Sequence, residues 1–311
     1  SNIEKSDFIL LVGTNPRHEA TILNSRIRKS YLKNNMEIYS LSDVGDLTYP
    51  YKVISSNTDE LNKIILNEHE VSKKIISAKN PIVIFGQSAL KLNSSGYLFE
   101  GMKKFLLENN KINDDWNALN VLSNNASTVG AYDLDILDNE TIDNVLSNQF
   151  ELVFLFGQDN LNIKKKNEFI VYIGTHGDRG AEMADLILPS AAYTEQDGYY
   201  TNLEGNLQLA FKASYPPGEA KEDWEIVNEV SKKLKGKSLY TNKQELIDNL
   251  LNYLNQKTKK NGETIKNDFI KEEIFVDKID YYFTNVIARS SKTMAECRNL
   301  KLVSLKTGTD G

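Results

Sequence analysis

The sequence predicts an α/β fold built on doubly wound, mainly parallel sheets. Three observations carry that expectation. Four apolar runs, Phe8–Gly13, Ile82–Gly86, Leu152–Gly157 and Phe169–Gly174, each end in glycine. A polar pair follows each run: Thr14 and Asn15, Gln87 and Ser88, Gln158 and Asp159, Thr175 and His176. Amphipathic helical patterns follow at least the first two. Continuous apolar runs rich in β-branched and aromatic residues suit strands buried on both faces, as in parallel sheets. Alternation of such strands with helices selects right-handed crossovers.

The elements follow in order. After Phe8–Gly13, Asn15 suits an N-cap and Pro16 the first helical position. Ala20, Leu23, Ile27 and Tyr31 then recur at helical spacing, and 36–41 reads as the next strand. After Ile82–Gly86, Leu98, Met102, Phe105 and Leu106 form a second helical stripe. Residues 120–139 are rich in Asn, Ser and Asp and read as loop with short elements. Residues 184–189 form a short strand stopped by Pro189. Residues 199–203 and 207–211 read as a hairpin with Gly205 in its connection, and 216–218 as a turn. Trp224, Ile226, Val227, Val230 and Leu234 mark a helix that Gly236 ends. Beyond it, Leu246, Leu250, Leu251 and Leu254 suggest another helix, and 256–268 is polar enough for a mobile loop. Residues 274–283 and 300–305 are expected as short strands. The domain expectation is an α/β region over 1–236, of two interleaved subdomains, and a Lys/Asn-rich helix and appendage over 237–311.

Composition narrows the function classes. A net charge of −6 argues against a nucleic-acid binder, which would carry a basic stripe. No apolar run approaches the roughly 20 residues of a membrane span, and the polar amino end is not a secretory signal. One cysteine, Cys297, excludes an intrachain disulfide. One thiolate also falls short of the set that holds an iron–sulphur cluster. His18, His69 and His176 lie in no zinc-like spacing. No protein-held metal is expected.

Three places could carry chemistry. The turn Gly13–Arg17 offers backbone N–H groups at a helix start, which suit a phosphate, with Arg17 as a charged partner. A capped turn without ligand explains the same residues and is favoured. The turn 174–179 places His176, Asp178 and Arg179 after a strand. A His–Asp pair suggests general-base chemistry, but no nucleophile stands nearby, so a hydrogen-bonded loop histidine is favoured. Glu195 and Asp197 could bind a cation or form an acid/base pair; a solvated loop leading into the hairpin is favoured. Cys297 reads as a lone thiol.

Residues 184–206 resemble the signature of the molybdopterin oxidoreductase superfamily, in which an A-D-x-x-L-P strand leads to an acidic residue and a T-N-x-E-G hairpin. The matching positions are Ala184, Asp185, Leu188, Pro189, Glu195, Thr201, Asn202, Glu204 and Gly205. Residues 10–20 resemble the family's G-x-N-P turn, which often lines the dinucleotide side of the cofactor site. Pro216–Gly218 with Glu222–Trp224, and the run 287–297, resemble one branch, the large iron–sulphur subunits of NADH:quinone oxidoreductase (respiratory complex I). The resemblance covers 8 to about 297.

The resemblance implies the fold of the molybdopterin oxidoreductases (formate dehydrogenase and DMSO reductase, domains 1–3). It implies an electron-transferring parent whose 2Fe-2S and 4Fe-4S clusters lie upstream of this chain, relaying electrons toward quinone. This part would be a non-catalytic scaffold without clusters or molybdopterin. Its partners would be the other peripheral-arm subunits and the amino-terminal cluster-binding region. The complex would lie against the cytoplasmic side of the bacterial inner membrane, or the matrix side in a mitochondrion, with no direct insertion. Gly13, Thr14, Asn15, Gly174, Thr175, His176 and Glu195 would be remnants of an ancestral cofactor pocket. The alternative is a fragment of a catalytic molybdopterin enzyme that binds a guanine dinucleotide cofactor at Asn15, with Thr175 and His176 nearby.

Overall fold

The computed structural model describes residues 3–34, 36–136, 139–158, 161, 163–177, 179–256 and 268–307. Two compact units share the chain. Unit 1 comprises residues 1–126 and a returning segment, 260–279; unit 2 comprises 127–259 and 280–311. Contacts therefore part the chain at 126, whereas composition changes near 236.

Unit 1 runs β1 (Phe8–Val12), α1 (Pro16–Glu19), α2 (Thr21–Asn34), β2 (Glu37–Leu41), β3 (Lys52–Ser55), α3 (Thr58–Ile65), α4 (Glu70–Ser77), β4 (Pro81–Gly86), α5 (Gln87–Leu90), α6 (Ser95–Glu108) and β5 (Leu119–Leu122). The five strands are all parallel, in the order β3-β2-β1-β4-β5. Every residue of β1 and β4 is buried, as their unbroken apolar runs require. Leu10, Val12, Val83 and Phe85 pack with Leu61, Ile64, Ile75 and Met102 of α3, α4 and α6. Ile9, Leu11, Ile82 and Ile84 pack on the other face with Ile27 of α2. Helices on both faces make the sheet doubly wound. The chain leaves β1 in one direction and returns to β4 on its other side, so the switch in strand order lies between their carboxyl ends.

Unit 2 runs α7 (Thr128–Asp133), α8 (Asn139–Leu146), β6 (Leu152–Phe156), β7 (Phe169–Gly174), α9 (Arg179–Met183), β8 (Leu186–Pro189), β9 (Gly198–Thr201), β10 (Leu207–Ala210), α10 (Asp223–Lys235), α11 (Lys243–Gln256), α12 (Val286–Ser290) and α13 (Lys292–Thr307). β6, β7 and β8 form a parallel sheet in that order, and β9 and β10 form the expected hairpin. Glu222 and Glu225 close a capping box on α10, and Gly236 ends it in the left-handed region.

Three expectations need correction. β6 is buried on one face only: Val153 and Leu155 point inward while Leu152 and Phe156 are half exposed. Ile226 of α10 covers this face of the sheet at Val171 and Ile173 of β7, and that cover leaves Leu152, Phe154 and Phe156 of β6 exposed. Residues 274–283 form no strand; one bridge, Asn57 to Glu273, precedes them, and Ile274 instead fills the unit 1 core. Residues 300–305 continue helix α13, because Met294, Ala295, Glu296 and Arg298 set up a helix that the following Leu and Lys residues extend. The expected loop 256–268 lies, over 257–267, outside the described residues.

Candidate functional site

Ligands in open parallel sheets bind outside the carboxyl ends of the strands, at the switch point. In unit 1 that place is the pair of turns after β1 and β4. Gly13 has φ +60°, and a methyl group there would lie 2.6 Å from the Ala89 backbone nitrogen. A methyl group at Gly86 would lie 2.2 Å from the Gly13 carbonyl oxygen. The two turns therefore pack backbone on backbone, and that contact is why both positions are glycine.

The polar groups of the first turn are turned inward. Thr14 is fully buried and its hydroxyl donates to Glu19 Oε2 at 2.6 Å. The Asn15 backbone N–H donates to Glu19 Oε1 at 3.3 Å, its side-chain amide donates to the Val44 carbonyl at 2.8 Å, and its Oδ1 caps α1 by accepting from His18 N. Glu19 thus sits where a bound anion would meet this turn. Burial raises its pKa above the usual carboxylate range, against the lowering effect of the Thr14 and Asn15 donors. The nearby Asp277 carboxylate acts in the same direction as burial. Arg17, expected to assist a phosphate, pairs with Asp46 at 2.6 Å. The residues of this turn do not fit the phosphates of a dinucleotide cofactor.

Unit 2 keeps an opening at the same edge. A cavity of about 170 Å³ lies against Phe156, Gly157, Thr175, Ser190, Tyr193 and Asp223. Gly174 and Thr175 line it, but His176 and Glu195 do not. His176 Nδ1 lies 2.8 Å from Thr175 Oγ1, and its carbonyl accepts from the Tyr172 hydroxyl at 3.1 Å. Glu195 Oε2 accepts from the Ala192 backbone at 2.9 Å and braces the loop before the hairpin. Asp197 accepts from Lys212 N at 2.8 Å, and this bond holds its carboxyl below the usual range. Asp178 lies outside the described residues. Ser190 donates to Asp223 in a short hydrogen bond at the cavity wall. Sequence reasoning passed over this pair. The only signals were the position of Ser190 directly after a strand-ending proline and of Asp223 at a helix start.

Cys297 is exposed. Among the described residues no three His, Cys, Asp or Glu side chains are placed to hold a metal ion, and no helix is long and apolar enough to cross a membrane.

Comparison with known proteins gives this geometry a context. The sequence model of the molybdopterin oxidoreductases matches residues 1–233. The chain belongs to the molybdopterin oxidoreductase family. A second model, that of the carboxy-terminal region of the NADH-ubiquinone oxidoreductase G subunit, matches residues 249–297. The chain is 36% identical to the NADH-ubiquinone oxidoreductase 75 kDa subunit of Reclinomonas americana, over 96% of the chain and 46% of that protein. It is 38% identical to the NADH-quinone oxidoreductase G subunit of Rickettsia bellii, over 97% of the chain and 45% of the relative. It is 37% identical to the mitochondrial NADH-ubiquinone oxidoreductase 78 kDa subunit of Neurospora crassa, over 98% and 43%. The chain thus spans a little less than half the length of these relatives. The resemblance to the molybdopterin oxidoreductases, read from residues 10–20 and 184–206, is borne out by the first model, and the resemblance to the large-subunit branch, read from 216–218, 222–224 and 287–297, by the second model and these relatives.

Proposed function

We propose that this member of the molybdopterin oxidoreductase family is a non-catalytic scaffold within the electron-transferring large subunit of an NADH:quinone oxidoreductase. The 2Fe-2S and 4Fe-4S clusters of that subunit belong to another part of the longer polypeptide. This part docks neighbouring peripheral-arm subunits on the cytoplasmic face of a bacterial inner membrane, or on the matrix face in a mitochondrion. Gly13, Thr14, Asn15, Gly174, Thr175, His176 and Glu195 are remnants of an ancestral pocket. One observation carries the reading: the switch point of unit 1 is closed by the Gly13–Gly86 contact and by Glu19.

Elemental analysis, pterin fluorescence and EPR on the purified chain test it. The expected result is protein without molybdenum, pterin or a cluster signal. Stoichiometric molybdenum or pterin would overturn the reading. The alternative, a catalytic enzyme binding a guanine dinucleotide, draws support from the unit 2 cavity. At about 170 Å³, however, that cavity is smaller than the roughly 300–1,000 Å³ of ordinary ligand pockets. Calorimetry with the dinucleotide should show no heat of binding, and saturable binding would favour the alternative.

A further inference from the structure

Helix α6 begins at Ser95, yet the Ser94 side chain makes no capping bond to its own helix. Its hydroxyl and the two backbone N–H groups before the helix turn instead to a carboxylate remote in sequence, Glu272. Glu272 Oε1 accepts from the Asn93 side-chain amide at 2.7 Å and from Asn93 N at 3.3 Å. Glu272 Oε2 accepts from Ser94 N at 3.1 Å and Ser94 Oγ at 3.0 Å. Burial pushes this carboxyl up, but the Ser94 and Asn93 donors outweigh it and hold it below its ordinary range. The same residue is fixed by its backbone to the start of α3. Thr58 N donates to Glu272 O at 2.9 Å, and Glu272 N donates to Thr58 Oγ1 at 2.8 Å.

Its neighbours repeat the pattern along the same edge. Ile274 N donates to Ser56 O at 2.7 Å, and its side chain is fully buried in the core cluster that α3, α4 and α6 form with the sheet. Asp277 N donates to Ser88 Oγ at 3.0 Å, directly after β4, and Asp277 pairs with Lys91. Lys271 pairs with Asp59, and Phe269 packs on Tyr97. Every one of these partners lies beyond the carboxyl end of β3 or β4. The segment also falls outside the stretch matched by the molybdopterin oxidoreductase model and inside the stretch matched by the carboxy-terminal one.

We propose that residues 268–277 are a latch that closes the carboxyl edge of unit 1, with Glu272 as its anchor. The latch fills with protein the edge at which open parallel sheets take their ligands. It makes this carboxy-terminal segment a working part of unit 1, and it does so whether or not unit 2 binds a cofactor.

Hydrogen–deuterium exchange on the full chain tests this. In Glu272→Ala, the amides of 270–277 and of Asn93 and Ser94 should exchange faster by about tenfold, the factor expected for a lost cap. The amides of β1 and β4 should keep their protection. Glu273→Gln, on the exposed neighbour, should behave as wild type. Millimolar inorganic pyrophosphate should leave exchange at Asn93 and Ser94 unchanged in the wild-type protein. If Glu272→Ala loses protection throughout unit 1, the milder Glu272→Gln is read in the same way. Wild-type exchange across 270–277 in the variant would overturn the latch. So would pyrophosphate protection of Asn93 and Ser94 in the wild-type chain, because the edge would then be open.

Discussion

Unit 1 and unit 2 present the same motif, a parallel strand ending in glycine and a polar turn, and they finish it differently. In unit 1 the turns after β1 and β4 meet backbone to backbone, and residues 268–277 cross the edge beyond β3 and β4. In unit 2 the turn after β6 has room at its glycine: among the described residues, a methyl group on Gly157, φ +58°, would meet no atom within 4 Å. A cavity remains beside it. A strand-ending glycine therefore marks a sharp turn, not a ligand. What decides the chemistry is the second element brought to the turn, and that element is remote in sequence.

Substituting the glycines should produce the largest effects. Gly86→Ala places a methyl group 2.2 Å from the Gly13 carbonyl oxygen, in the buried turn directly after β1. It should destabilise unit 1 by about 4 kcal/mol or more, the range reserved for severe core disruption. Gly157→Ala should cost only the left-handed backbone penalty, about 1–2 kcal/mol. Urea unfolding of the two variants checks the ratio, and equal losses would remove the distinction between a packed and an open turn.

Next in size is the latch. Ile274→Ala empties a fully buried site and should cost about 2–5 kcal/mol. Phe156→Ala, on the half-exposed edge of unit 2, should stay near the roughly 0.5 kcal/mol of surface changes. Thermal unfolding compares them. A large Phe156→Ala loss would show that the exposed face of β6 is covered in solution. Smaller again, Ser190→Ala should cost about 1 kcal/mol, the worth of one hydrogen bond to Asp223.

The parts legible in the sequence are those carried by local pattern. Phe8–Val12, Pro81–Gly86 and Phe169–Gly174 are strands because a continuous apolar run has few other uses. The Gly205 hairpin and the Gly236 helix stop follow from turn and cap chemistry. α3 and α4 went unread because eight residues give only two helical turns of pattern. β5 went unread because it sits in an asparagine-rich stretch with only Leu122 buried. The latch was illegible for a different reason. Glu272 meets Ser94 across 178 residues, and nothing local to either residue announces the other. The same applies to Glu19: its spacing from Thr14 is readable, but the burial that makes it matter is not.

Acid titration separates the two carboxyls of unit 1, since both have ordinary values near 4.5 and are shifted in opposite directions. The folded pKa of Glu272 is lowered, so its contribution to stability is present above the unfolded value and lost as the pH falls through the folded one. The folded pKa of Glu19 is raised, so its contribution is complete below the unfolded value and lost as the pH rises through the folded one. Glu272→Gln should therefore be less stable than wild type at neutral pH and converge on it in acid. Glu19→Gln, which mimics the protonated group, should match wild type in acid and exceed it at neutral pH. Melting temperatures measured from pH 3 to 8 check both signs. The effect is the smallest of the set, because both carboxyls are partly solvated and screened. It is also the most specific: if Glu19→Gln falls below wild type as the pH rises, then the Thr14 and Asn15 donors outweigh burial after all. The turn after β1 would then hold an anion well, and the closed edge of unit 1 would depend on the Gly13–Gly86 contact and the latch alone.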